Sequence, residues 1–346
     1  MAIDETKLEQ LVGQFATDFG AAMHAATVVV GDKLGLYRAL AEAPATGAEL
    51  ATKTGLDTRL VEEWCAAQRV SGYAEFETTS GRYSLTEEQA AVLADDSTPA
   101  FLVGAMTIVA ALFKDEAAIR EAFRTGRGLG WHEHDHDLFH GTERLFKPGY
   151  LGNLVTSWLP ALDGVEARLE AGATVADIGC GHGSSTILLA QSYPASNIVG
   201  FDYHAASIEV ARERAAEAGV ADRVRFEVAS AQDFPGAGYD LVCIFDALHD
   251  MGDPFTGAQH IRDALADDGT WLLVEPMTAT EGPVARIFTA ASVGVCTPSA
   301  QAQDGGYALG NQVSDDRWRE LLSEAGYRRF RRATETPFNR VFEVRK

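Results

Sequence analysis

The run Val175-Ala-Asp-Ile-Gly-Cys-Gly-His-Gly-Ser-Ser185 sets one carboxylate, Asp177, ahead of three alternate glycines, Gly179, Gly181 and Gly183. Glycine has no Cβ, so the main chain can turn sharply there and come close to a ligand. Ser184 and Ser185 then open the apolar segment Thr186–Ala190, which reads as a helix. Backbone N–H groups at a helix N-terminus suit a polar or anionic ligand group. The apolar run Asn197–Phe201 ends in Asp202, 25 positions beyond Asp177. That spacing puts a carboxylate at the end of the next parallel strand, where it can accept both hydroxyls of a ribose. Asp202 also precedes the helix expected over Ala205–Ala218, so it can cap that helix as well.

Proton removal near neutral pH points to histidine. His249 stands in Ala247-Leu-His-Asp-Met-Gly-Asp-Pro254, directly after the apolar run Tyr239–Asp246. That is the carboxyl end of an expected strand; the competing reading is a helix-capping or core histidine. His204 and His260 read as surface residues. The stretch Trp131–His140 carries His132, His134, His136 and His140 among Glu133, Asp135 and Asp137. Its composition suggests a metal cluster, but zinc sites usually draw better separated pairs from rigid elements. It reads instead as a solvated loop or helix start with acids in its first turn. Trp131, Phe139, Phe146, Tyr150, Met277 and Gln301 are the candidates for lining a substrate pocket. The four cysteines, Cys65, Cys180, Cys243 and Cys296, form no C-x-x-C pair and read as small buried hydrophobes of a reducing compartment.

Positioning these residues takes an alternation of strands and helices. The second half gives a strand ending at Asp177, helix Ser184–Ser192, strand Asn197–Asp202 and helix Ala205–Ala218. A third strand begins at Val224 and leads into the loop Ser230–Asp233. Strand Tyr239–Asp246, helix Phe255–Leu265 and strand Thr270–Pro276 follow. This pattern implies a parallel, doubly wound α/β sheet with ligands at the carboxyl ends of its strands. Gly282–Val295 reads as a helix over the pocket and Cys296–Gly306 as a flexible loop. Asp315–Gly326 reads as a helix, and Tyr327–Thr334 with Phe338–Arg345 as a closing antiparallel pair.

The first 90 residues read as helical. Lys7–Val30 carries Phe15, Phe19 and Met23 on one side, and Thr46 with Glu49 has capping-box spacing. Helix Arg59–Ser71 and a hairpin around Ser80-Gly81 complete a winged-helix layout. The helix that would read DNA, Leu60–Val70, carries Glu62 and Glu63, and residues 1–100 hold 16 acidic and 7 basic side chains. Groove reading calls for Arg, Lys, Asn or Gln there, and a net charge of −21 repels phosphate backbones. This domain therefore reads as a dimerisation or packing module, with no nucleic-acid partner. Residues 97–128 read as helical and Tyr150–Leu169 as one helix. No apolar run approaches the roughly 18 residues needed to cross a bilayer. The acidic start does not resemble a signal peptide, so a cytoplasmic protein with no membrane partner is expected. The expected domains are 1–96 (winged helix), 97–165 (helical linker and pocket) and 166–346 (α/β domain).

The run D-I-G-C-G-H-G, the acid after the second strand, A-Q-D-F-P, F-D-A-L-H-D and L-L-V-E-P together resemble a class I S-adenosylmethionine-dependent methyltransferase, whose Rossmann-like domain has seven strands. Dinucleotide-binding turns usually read G-x-G-x-x-G without the leading Asp, which places that family second. Leu34–Leu40, Ala48–Ala51, Gly72-Tyr73 and Tyr83–Thr86 extend the resemblance to two-domain small-molecule methyltransferases of plants and polyketide-producing actinobacteria. Nearly the whole chain is covered. An actinobacterial branch related to α-keto acid C-methyltransferases is nearest, on residues 131–164 and 246–254. The resemblance implies S-adenosylmethionine as cofactor, with Asp177, Gly179, Gly181 and Gly183 at its methionyl end and Asp202 on its ribose. Ser230, Ala231, Gln232 and Asp233 would frame the adenine, and Phe245 and Asp246 the sulfonium side. It also implies a small-molecule acceptor, a homodimer, His249 as general base and Glu275 beside it. Plant-type enzymes read H-D-W-S-D-E where this chain has His249-Asp-Met-Gly-Asp-Pro254, so the Trp is missing. In the α-keto acid branch His249 would instead be a ligand to a divalent metal. A second His is expected there around Ser292–Gln303; Gln301 and Gln303 are the nearest polar groups. A non-catalytic regulator sensing S-adenosylmethionine is the further alternative.

Overall fold

The computed structural model describes residues 3–346. Packing divides the chain into two units that interleave in sequence: residues up to Lys114 with Asp135–Gly149, and Asp115–His134 with Tyr150–Lys346. The first unit starts with α1 (Glu5–Lys33), α2 (Leu36–Glu42), α3 (Gly47–Thr54) and α4 (Thr58–Val70). A hairpin of β1 (Glu75–Glu77) and β2 (Arg82–Ser84), then α5 (Glu87–Leu93) and α6 (Gly104–Lys114), follow. The expected capping box forms between Thr46 and Glu49 on α3, and Asp57 accepts the Leu60 N–H at the start of α4. Leu36, Leu40, Leu50, Val61 and Trp64 make the core. Gln68 of α4 is buried there, accepting from the Tyr37 hydroxyl at 2.6 Å. On α1, Leu8, Leu11, Val12, Phe15, Phe19 and Met23 are exposed and recur at helical spacing.

After α7 (Glu116–Thr125), α8 runs over His136–Asn153, and α9 covers Val165–Ala171. The second unit holds a seven-stranded sheet in the order β5-β4-β3-β6-β7-β9-β8. Its parallel strands are β3 (Thr174–Ile178), β4 (Asn197–Asp202), β5 (Val224–Val228), β6 (Tyr239–Phe245) and β7 (Leu265–Pro276). Strands β8 (Arg329–Glu335) and β9 (Asn339–Arg345) add an antiparallel edge through the β7–β9 pairing. Helices α10 (Ser184–Ser192), α11 (Ala205–Glu217) and α12 (Pro254–Ala264) connect the parallel strands. Helices α13 (Gly282–Ala291), α14 (Thr297–Gln301) and α15 (Asp315–Glu324) follow β7. Because both sheet faces are covered, the strands are continuous apolar runs. Val175, Leu241, Cys243 and Leu272 pack on one face, Ala176, Val242, Ile244 and Trp271 on the other. Strand order reverses between β3 and β6, the switch point at which such sheets open a ligand crevice.

Three expected elements differ. Tyr150–Leu169 is not one helix: α8 begins at His136, passes at Leu154–Trp158 into a π-helical turn, and α9 starts only after Gly164, at φ +70°. The glycines and proline of residues 136–149 hide the start of α8 from a periodicity reading. Gly282–Val295 is helical only to Ala291 and continues as a π-helical turn, Ser292–Cys296. Cys296–Gly306 begins not as a loop but as α14, held by burial of Pro298, Ser299 and Ala300. Among the described residues no helix is long and apolar enough to cross a membrane.

Candidate active site

Asp177 lies near the carboxyl end of β3, fully buried. Its Oδ2 accepts the hydroxyls of Ser185 and Thr186, both at 2.6 Å, and so ties the first turn of α10 to the strand. Its Oδ1 is buried with no hydrogen-bond partner. Burial pushes this carboxyl up to about 6 against the pull of the two hydroxyls, and the nearby Asp202 adds to the rise. Gly179, Gly181 and Gly183 carry φ of +71°, +53° and +80°. A Cβ on Gly183 would stand 2.7 Å from the Phe226 ring, whereas one on Gly181 would meet nothing within 4 Å. The turn is thus packed on the Gly183 side and open on the Gly181 side. Gly183 caps α10 with no side-chain hydrogen bond to the helix start.

Asp202 ties the glycine turn to the segment that leads into α11. Its Oδ2 accepts the Gly181 N–H at 2.9 Å and its Oδ1 accepts the His204 N–H at 2.9 Å, at the entry to α11. Ser230 and Asp233 face each other: the Asp233 carboxylate accepts the Ser230 N–H and hydroxyl at 2.8 and 2.7 Å. Ala231 is buried in the core, and Gln232 donates to the Asp253 carbonyl at 3.2 Å. Phe245 is buried against Tyr150 and Trp158. Asp246 sits at φ +49°, a left-handed conformation shared among the described non-glycine residues only by Ala308. Such a conformation costs about 1–2 kcal/mol and tends to persist at functional sites. Asn339 of β9 donates to both Asp246 oxygens, at 2.8 and 2.9 Å. Burial, reinforced by Glu275, raises the Asp246 carboxyl well above the usual range.

His249 lies on a 3₁₀ turn, Leu248–Asp250, just after β6, and is 3% exposed. Its Nδ1 donates to Glu275 Oε2 at 2.7 Å, and Glu275 is fully buried at the end of β7. That partner assigns the proton to Nδ1 in the neutral ring and leaves Nε2 as the basic atom. Nε2 faces Asp250 Oδ1 at 3.1 Å. Burial pulls the imidazole down, but Asp250 and Glu275 outweigh it, so His249 is held well above 6.5. Cys296 also meets His249; its thiol accepts from Asn311 Nδ2 at 3.3 Å and is pushed up to about 11 by burial.

The pocket candidates divide between the units. Trp131, Tyr150, Met277 and Gln301 belong to the second unit, Phe139 and Phe146 to the first. Tyr150 packs on Phe245, with ring centroids 5.2 Å apart; Gln301 is exposed. The histidine-rich stretch gathers no metal-ligand set among the described residues. His134 is buried and pairs with Asp115 at 2.8 Å, and the one grouping of metal-competent side chains is His249, Asp250 and Cys296. Asn339, Asp250 and Cys296 were not legible as site residues. Only β9 pairing with β7 and the turn back from α13 bring Asn339 and Cys296 to this edge.

A mostly parallel sheet with a glycine turn at its switch point, and a buried His–Glu pair at the ends of β6 and β7, defines a doubly wound α/β domain. Residues 169–326 match the model of a methyltransferase domain, and residues 22–95 that of an Rv2258c-like winged HTH domain. The chain carries a methyltransferase domain behind a winged HTH domain. It is 28% identical over 160 residues to 27-O-demethylrifamycin SV methyltransferase of Amycolatopsis mediterranei, covering 46% of this chain and 55% of that protein. In six curated relatives the matched stretch spans 23% to 56% of their length. Human N-acetylserotonin methyltransferase, solved in complex with SAM (S-adenosylmethionine), shares the fold at TM-score 0.73 and 18% identity, over 100% of this chain and 99% of that one. The mitomycin 7-O-methyltransferase MmcR does so at TM-score 0.71 and 20% identity, over 99% and 100%.

Proposed function

We propose that this chain transfers the methyl group of S-adenosylmethionine to a protonated nucleophile of a small-molecule acceptor, with His249 as general base. The observation that carries this reading is the buried His249–Glu275 pair at 2.7 Å, just after β6 and at the end of β7, with β6 beside the strand that ends in the glycine turn. The donor fits the turn. An orphan buried carboxylate oxygen on Asp177, an open face at Gly181 and a helix start with no side-chain cap suit an amino-acid end with both charges. Asp202, held beside the glycine turn by the Gly181 N–H, is the acceptor this reading gives to the ribose hydroxyls. When bound, the donor supplies an already activated methyl. The protein's part is to align the acceptor, keep water out and take its proton. Nε2 of His249 takes that proton, and Glu275 stabilises the imidazolium through Nδ1–H. Because His249 is held above its ordinary value, turnover rises with pH through that raised pKa.

A second reading rests on one observation. The ligand atoms of His249, Asp250 and Cys296 all lie within 4.8 Å of one another, and Cys296 stands in the segment where a second metal ligand is expected. The three would hold a divalent ion, Glu275 orienting the imidazole from behind, and would polarise the oxygens of an α-keto acid methylated at its β-carbon. Metal analysis of purified protein with and without chelator separates the two. We also assign the exposed apolar face of α1 to a second copy of this chain, and the winged domain to assembly in the cytoplasm rather than DNA binding.

The test is calorimetry with S-adenosylmethionine, followed by an acceptor screen that detects S-adenosylhomocysteine. Donor binding with turnover abolished in His249→Ala supports the reading; no donor binding overturns it. Specific DNA binding at low salt without turnover on any acceptor would make the chain a regulator instead.

A further inference from the structure

The histidine-rich stretch has a place in the fold that the methyl-transfer reading leaves unused. Residues 115–134 pack with the second unit, while the segments on either side pack with the first. The two end residues of this excursion, Asp115 and His134, are buried and paired at 2.8 Å. Gly128, at φ +72°, approaches α14 so closely that a Cβ would stand 2.3 Å from the Pro298 carbonyl oxygen. The Leu129 N–H donates to that same oxygen at 3.0 Å. Three residues on, the His132 ring stacks on His204 at 6.1 Å and meets Tyr203 edge-on at 6.2 Å. Tyr203 and His204 directly follow Asp202. Tyr203 is 47% exposed, and its hydroxyl is raised by partial desolvation and by the charges of Asp202 and Asp250, so this phenol feels both the acid that ends β4 and the acid beside His249.

We propose that His132 is a donor-binding residue, brought by this excursion to back Tyr203 and His204 as an aromatic wall over the adenosyl half of the methyl donor. The inference rests on the methyltransferase reading only in taking the glycine turn as the donor site. Gly128 sets the position of the wall, because only a residue without Cβ can lie that close to the Pro298 carbonyl. The ligand chemistry recognised is an adenine nucleoside carrying a thioether or sulfonium. Asp202 supplies hydrogen bonds at one edge, and the wall supplies stacking and water exclusion on the outside. His132 is exposed, so its removal leaves the core intact.

The experiment is calorimetric titration of the full chain with two probes, S-adenosylhomocysteine and 5′-methylthioadenosine, which shares the adenosyl half and lacks the amino-acid half. His132→Ala weakens both by a common factor on the order of five- to tenfold, and His132→Phe restores both, since a stacking surface is what was lost. The melting temperature stays within about two degrees of wild type, as expected for an exposed side chain. His132→Ala binding both probes within twofold of wild type overturns the proposal. So does a loss confined to S-adenosylhomocysteine, which would place His132 at the amino-acid end. Failure of the unaltered chain to bind either probe overturns the methyltransferase reading itself, a result distinct from both.

Discussion

Glu275→Gln isolates the charge behind His249 while keeping shape and hydrogen bond, because a carboxamide oxygen can still accept the Nδ1–H. The carboxylate is fully buried and 2.7 Å from the ring nitrogen. A charge-assisted hydrogen bond is worth about 1.5–3 kcal/mol against about 0.5–1.5 for a neutral one. A full Coulomb estimate for unit charges 4 Å apart in a medium of effective dielectric 20 is about 4 kcal/mol. Asp250, 3.1 Å from Nε2, still favours the imidazolium in the variant and reduces the loss. A net loss of about 1.4–2.8 kcal/mol follows, equal to one to two pKa units, each unit being about 1.4 kcal/mol. Removing a negative neighbour lowers the pKa, so the midpoint of the rising limb of kcat against pH moves down by about one to two units. The imidazolium that forms as the acceptor loses its proton is destabilised by the same amount, so the plateau falls about 10- to 100-fold. The assay is release of S-adenosylhomocysteine between pH 5.5 and 9.5, with donor affinity measured in parallel and expected within about threefold of wild type. A midpoint that moves upward, or a plateau within twofold of wild type, would refute the assignment of Glu275 and His249 as a base and its charge partner.

Four further variants have expected outcomes. Asp177 has a folded value of about 6 against 3.8 unperturbed, so the folded state binds this proton more tightly and the wild type loses stability as pH rises through that window. Asp177→Asn escapes the penalty, about 3 kcal/mol at most: its melting temperature exceeds wild type at pH 7.5, converges with it near pH 4, and its donor affinity falls. Gly183→Ala meets the Phe226 ring at 2.7 Å in a left-handed conformation and costs about 3 kcal/mol in urea melts. Gly181→Ala, open on its Cβ side, costs about 1 kcal/mol yet weakens donor binding more than Gly183→Ala weakens it per unit of stability lost. If α1 pairs two copies as proposed, the unaltered chain is a dimer by light scattering and Phe15→Glu with Phe19→Glu, at positions 70% and 59% exposed, gives a well-folded monomer.

What the residues alone determined is local and periodic. The bounds of α10 and β4 follow from apolar runs closed by Gly183 and Asp202, since side-chain period and cap chemistry are properties of neighbours in the chain. The glycine turn, the capping box at Thr46 and the hairpin at Gly81 are legible for the same reason. The resemblance to methyltransferases singled out Asp177, Asp202, His249 and Glu275, of which the last two meet at 2.7 Å. The histidine-rich stretch misled in composition, because four histidines in ten residues say nothing about which of them turn inward; His134 is buried and His132 exposed. Tertiary structure decided which distant groups meet. Asn339 reaches Asp246 only because β9 runs antiparallel to β7, setting Asn339 opposite Pro276. Cys296 meets His249 only because the π-helical turn after α13 returns the chain to the end of β6. Pairing across a sheet joins residues 93 positions apart in one case and 26 in the other. No local preference encodes such a pairing: burial of two sheet faces selects it, and the chemistry at the sheet's edge follows from that selection.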